Sequence, residues 1–295
     1  MMRHLHRAVT LLALLLCAAS QAPANQTAPG SASDPRRQTQ TSPPGWSETL
    51  KKTIDMELAG KVAEIVPIYE KWVADYPNFA DAHVMLAGAH ENLGRAALRS
   101  HAPDAAKTST AQFEMAAVHL RRAVELTAGS GAMTDDPIRG LIDLYGPFEL
   151  NRPAEYERLV GEGLKRHPTD PGAHAYLIAL IARKEEPIDG AVRAARAAIP
   201  KTAKARTELA GHLMAFGRDD RETVAVRLAA AALALVDDAL TLNPNDIDAL
   251  EQKAEILRTQ ARRATEPERA KLLAEEARLR AQAAELHHRR PQPDR

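Results

Sequence analysis

One pattern returns from Trp46 almost to the end of the chain. Apolar residues recur at helical spacing, the run breaks at Pro, Gly or Asn-Pro, and the run begins again. Ile68-Tyr69-Glu70-Lys71-Trp72-Val73-Ala74-Asp75-Tyr76-Pro77 is followed by Ala80-Asp81-Ala82-His83, then Leu86-Ala87, His90 and Leu93-Gly94-Arg95. Pro77, Pro168, Pro200 and Pro244 each close such a stretch. A helical hairpin of this length cannot bury its apolar face alone, so a chain built this way must stack its units against one another. Composition agrees: aromatics are only 4% and alanine is the commonest residue, which favours closely packed helices over sheets.

The pattern resembles the tetratricopeptide repeat, a helix-turn-helix unit of about 34 residues. The first unit is carried by Gly60, Tyr69 and Trp72. The second is carried by His83, Leu86, Ala87, His90, Gly94, Phe113, Ala116, Leu120 and Ala123, with an insertion, Ala96 to Gln112, at its turn. The third has Ile138, Leu141, Tyr145, Gly163 and Pro168. The fourth has His174, Leu177 and Ile181, with Ile178 where the repeat places a small residue. The fifth has Leu209, Ala210, Leu213, Gly217, Ala232 and Ala239, with an insertion near Asp219 to Leu228. The sixth has Leu250, Ala254 and Leu257, and Lys253 on an apolar position. Small residues mark where helices approach most closely, and large ones fill the grooves between hairpins.

The resemblance implies an all-α fold, a right-handed α-solenoid of stacked hairpins over residues 46–264. A capping helix over 265–288 and a polar tail over 289–295 follow. Both insertions are expected to lengthen their hairpins and protrude. In this family the first helices line a concave groove that binds a protein or peptide segment. The matching residues are Val84, Gly88, Glu91 and Asn92, then Ala175, Ala179 and Arg183. The later units supply Lys204, Thr207 and Gly211, then Glu251, Glu255 and Arg258. Members that grip a peptide carboxylate use Lys and Asn where this chain has Val84 and Gly88, so that activity is not implied. Gly88, Ala175, Ala179, Gly211 and Ala215 are expected to leave an exposed, shallow floor for an apolar-faced helix or extended segment.

Residues 1–24 read as an export signal, with Arg3 and Arg7 before the apolar run Ala8 to Cys17 and small-x-small sites after it. Residues 25–45, rich in Pro, Ser, Thr and Gln, read as a linker. The chain is therefore expected to be exported, periplasmic or secreted. The alternative is an envelope-anchored structural lipoprotein lipidated on Cys17, although Leu16 stands where that signal wants a small residue. No later stretch approaches the roughly 20 apolar residues of a membrane span.

Lys+Arg and Asp+Glu both number 39, so there is no basic field for nucleic acid. Phosphate-loop, dinucleotide, zinc-protease and serine-hydrolase motifs are absent. With a single cysteine there is no thiolate cluster. His83 and His90 could face one way and hold a metal, but both fall on packing positions of the repeat. No cofactor, metal or catalytic constellation is expected, and the chain reads as a binding protein rather than an enzyme.

Overall fold

The computed structural model describes residues 42–100, 102–127, 133–218 and 220–289, all within one compact unit, Gln40–Arg295. The signal, Cys17, most of the linker and Asp219 lie outside the described residues. Every regular element among the described residues is helical. The helices are α1 (Trp46–Leu58), α2 (Val62–Asp75), α3 (Ala80–Ser100), α4 (Ala105–Leu126), α5 (Pro137–Tyr145) and α6 (Pro153–Arg166). They continue with α7 (Pro171–Arg183), α8 (Asp189–Ala198), α9 (Ala203–Arg218), α10 (Glu222–Leu242), α11 (Ile247–Ala261) and α12 (Glu266–Arg289).

Local chemistry sets the boundaries. Asp136 and Asp170 each precede a proline and accept backbone N–H bonds from Ile138 at 2.9 Å and Gly172 at 2.7 Å, and Asp246 does the same for Ala249 at 2.9 Å. These carboxylates satisfy donors that a helix start leaves without partners, and proline costs nothing there. Gly60, at φ +75°, turns the chain from α1 into α2.

Consecutive helices pack as hairpins, and the hairpins stack. Pairing in the second hairpin is antiparallel, since His83 meets His119 while His90 meets Gln112. The expected packing residues are in place: Leu86, Ala87, Phe113, Ala116, Leu120 and Ala123 are all buried. Gly94 is small for a definite reason. A Cβ there would lie 2.6 Å from Cε1 of Phe113. Four apolar clusters run along the stack, around α1–α3, α3–α7, α7–α11 and α10–α12. Trp72 occupies a small-residue position in the first unit, where it meets Trp46 edge-on at 5.1 Å and stacks on Tyr76. Lys253 keeps its ammonium in a polar slot, 2.9 Å from Asp237 on α10 and 3.1 Å from Glu275 on α12.

Three expectations are corrected. In α7, Leu177 and Ile181 are only half-buried, while Ala175, Ile178, Ala179 and Ala182 are fully buried. The helix lies between two cores: Ala173, Tyr176 and Leu180 face one, and Ala175, Ile178 and Ala179 face the other. The insertion before α10 does not protrude, since Val224 and Leu228 are core residues. Its Arg227 donates to the carbonyls of Ala182, at 3.0 Å, and Glu186, while Arg221 donates to that of Arg183 at 2.8 Å. These guanidiniums cap the C-terminal end of α7, where carbonyls lack helical partners. Arg206 does likewise for Arg196 at the end of α8, and Arg269 for Ala261 at the end of α11. The insertion at Ala96 to Gln112, by contrast, lengthens its hairpin as expected: it adds turns to α3 and α4, with residues 98–100 and 102–104 exposed at the tip and Ser109 buried farther in.

Candidate functional site on the inner faces of α3 and α5

The third correction concerns the groove floor. Ala175 and Ala179 have no exposed surface and belong to the core shared by α7, α9 and α10, so neither can touch a ligand. They are small because helices close on them. A similar approach is seen at Gly211, where a Cβ would lie 3.0 Å from Gln252 of α11; at Gly172 the nearest neighbour would be the capping Asp170 carboxylate, also at 3.0 Å. First helices α7, α9 and α11 therefore pack directly on one another.

The remaining expected residues divide by place. Arg183 is engaged by Asp220 and donates to Tyr156 Oη at 2.8 Å. Thr207 Oγ1 donates within α9 to the carbonyl of Ala203 at 3.0 Å, and Lys204 projects into solvent, 3.8 Å from Glu208. Glu251 and Glu255 face α12, at 3.3 Å from His287 and 3.4 Å from Arg280, and Arg258 is exposed.

Val84, Gly88, Glu91 and Asn92 share one face of α3, and there the surface stays open. Nothing lies within 4 Å of a Cβ built on Gly88, and Val84 is half-buried. Asn92 donates to Glu57 of α1 at 2.7 Å. Glu91 accepts from Arg95 at 2.9 Å, and the same guanidinium reaches Glu149 at 3.3 Å. Asp143 of α5 accepts from Tyr176 Oη at 2.6 Å, with Arg139 Nε 4.0 Å from its other oxygen. α7 also meets α9 through the Tyr176 and Phe216 rings, 4.7 Å apart, whereas long polar side chains join α3 to the turn after α5, and α5 to α7.

The electrostatics mark this region as recessed. Burial pushes the Glu91 carboxyl up to about 7; Arg95 pulls it back, while Asp143 and Glu149 push it further. Tyr176 is held well above the ordinary phenol range, first by burial and then by Asp143. Arg95, Arg139, Asp143, Glu149 and Tyr176 were absent from the sequence-derived set. Arg139 and Asp143 stand one and five residues past Ile138, the same offsets that place Val84 and Gly88 past His83, so the repeat register held the signal.

His83 and His90 are packing residues, each 5% exposed. His83 Nδ1 lies 3.2 Å from His119 Nδ1, and the His90 ring is parallel to that of His119 with centroids 6.0 Å apart. Among the described residues no group of three or more His, Cys, Asp or Glu is placed to hold a metal ion. No helix among them is long and apolar enough to cross a membrane.

The helices thus form pairs of the tetratricopeptide type. No family model matches the chain, and no curated protein matches it. Among solved structures it is similar to the C-terminal part of a tetratricopeptide-repeat protein from Cytophaga hutchinsonii, at 11% identity and a TM-score of 0.42, over 78% of this chain and 79% of that one. It is also similar to YrrB, a tetratricopeptide-repeat protein with an unusual peptide-binding site, at 14% identity and a TM-score of 0.33, over 75% of this chain and 97% of that one. A third likeness is to the Cut9–Hcn1 hetero-tetramer of the APC/C, at 14% identity and a TM-score of 0.39, over 82% of this chain and 42% of that one.

Proposed function

We propose that this chain is an exported interaction scaffold that holds a segment of another protein against the inner faces of α3 and α5. One observation carries the reading: first helices α7, α9 and α11 close on one another, while the α3 face keeps free space beside Gly88 and a recessed set of charged groups. A surface kept open, polar and rigidly framed is suited to binding, because its groups are ordered before the partner arrives. Export rests on the signal-like run of residues 1–24. Retention of lipid-modified Cys17 in the mature protein, read by its mass, would favour the envelope-anchored alternative. Turnover of a substrate by the pure protein would overturn the reading as a binding protein.

The test is a pair of variants. Gly88→Arg fills the open face and should abolish capture of the native partner while leaving the melting transition in place. Met115→Arg, on the exposed face of α4, should capture it normally. Equal capture by both variants would rule out this face.

A further inference from the structure

The charges on the open face bear on what it binds. Glu91, Asp143 and Glu149 converge on it, against the guanidiniums of Arg95 and Arg139. Arg95 is divided between Glu91 and Glu149, and Arg139 stands 4.0 Å from Asp143, a looser contact than an ion-paired hydrogen bond. Carboxylates close to one another in a recess raise one another's cost of ionisation. The upward displacement of Glu91 by Asp143 and Glu149 is that cost. A cation set among them would lower it; an anion would add to it.

The occupant must also fit the open strip. Val84 offers half-buried apolar surface and Gly88 bare backbone, so a chain can lie along α3 with its own backbone close to the helix. An isolated divalent ion does not suit the arrangement, since among the described residues no three acidic or imidazole groups are placed to ligate one.

We infer that the partner segment is basic: a stretch of peptide lying along α3 that presents lysine or arginine side chains to Glu91 and Asp143. The inference rests on the proposed binding role of this face and adds the chemistry of its ligand. Like charges facing an acidic segment would disfavour it, so the face selects by sign as well as by shape.

The probe is a fluorescein-labelled 12-residue peptide of alternating Lys and Ala, with a Glu/Ala peptide as its counterpart. Each is titrated by anisotropy onto the full chain at pH 7.5 and low salt. The lysine probe should bind and the glutamate probe should not. Glu91→Gln should weaken binding roughly fivefold, the effect of about 1 kcal/mol. Adding Asp143→Asn, which leaves an acceptor for Tyr176, should weaken it roughly twentyfold or more. Glu251→Gln with Glu255→Gln, two carboxylates on α11, should stay within about twofold, because screening leaves distant surface charges little influence. Melting curves accompany every variant.

The inference fails if the lysine probe does not bind, if the glutamate probe binds as well, or if the Glu91 and Asp143 changes matter no more than the α11 pair. Those results are separable from failure of the wider reading. Should Gly88→Arg abolish native capture while the lysine probe is indifferent to Glu91, the face binds a partner of another chemistry. Should Gly88→Arg leave capture intact, the face is not the site.

Discussion

Two glycines on α3 provide a quantitative test of how the second hairpin is packed. Replacing glycine with alanine in a helix interior removes backbone freedom from the unfolded chain, a gain of about 0.5–1 kcal/mol when the new methyl meets nothing. At Gly88 it meets nothing within 4 Å. At Gly94 the methyl would stand 2.6 and 2.8 Å from two ring carbons of Phe113. That ring is 2% exposed and packed between α3 and α4, so it cannot swing aside freely. Overpacking of this kind costs about 1–3 kcal/mol. Gly88→Ala should therefore stabilise by about 0.5–1 kcal/mol and Gly94→Ala destabilise by up to about 2 kcal/mol. Urea unfolding followed by helical circular dichroism reads both, with the slope compared to exclude a change in cooperativity. Phe113→Leu in the Gly94→Ala background should recover part of the loss relative to Phe113→Leu alone. If both alanines stabilise equally, the close approach at Gly94 is wrong.

Ala179→Arg should cost more than about 3 kcal/mol, because it places an unpaired charge in a filled core; parent-like melting would show that α7 is turned the other way. Burial, with His83 and His90 acting in the same direction, holds His119 at about 4, below its ordinary 6.5. The unfolded chain therefore takes up this proton first. Stability is lost as pH falls from 6.5 and the loss is complete below 4. Glu91 changes in the opposite sense over much of that window, its contribution fading as pH rises from 4.5 through about 7. The difference in unfolding midpoint between the parent and His119→Gln isolates the histidine, and a difference that does not change with pH refutes its role. Arg227→Met should cost about 1–2 kcal/mol and raise amide exchange over residues 182–188, where its guanidinium now holds two carbonyls.

Most of the helical stack was legible because small residues recur at fixed offsets from large ones. Ala87, Ala116, Ala123, Ala210, Ala232, Ala239 and Ala254 are all fully buried, as the register requires. The register failed at α7 for a physical reason. Pro171 to Ala182 is apolar nearly all round, so the sequence gives no polar face from which to orient the helix. Its alanines fit a ligand floor or a helix contact equally well, and only the position of α9 decides between them. The charged face was half-visible. Glu91 and Asn92 came from the repeat, and Arg139 and Asp143 lay at the same offsets in the third unit. Glu149 was not legible, because it reaches Arg95 from the turn after α5, and no periodicity reports where such a turn goes. The second insertion misled because extra length at a turn suggests a projection. Here α8 is only 10 residues long, and the lengthened α10 covers the end of α7 beside it.

If partners are held on α3 and α5 rather than farther along the stack, photocrosslinking from single positions will distinguish the two places. A photoreactive residue is placed in turn at Val84, at Thr207 on α9 and at Arg258 on α11, and the adducts formed in the native cell are mapped by mass spectrometry. One discrete adduct is expected from Val84, mapping to a basic segment of one protein, and little from the other two. Adducts concentrated at Thr207 or Arg258, with none at Val84, would contradict that placement.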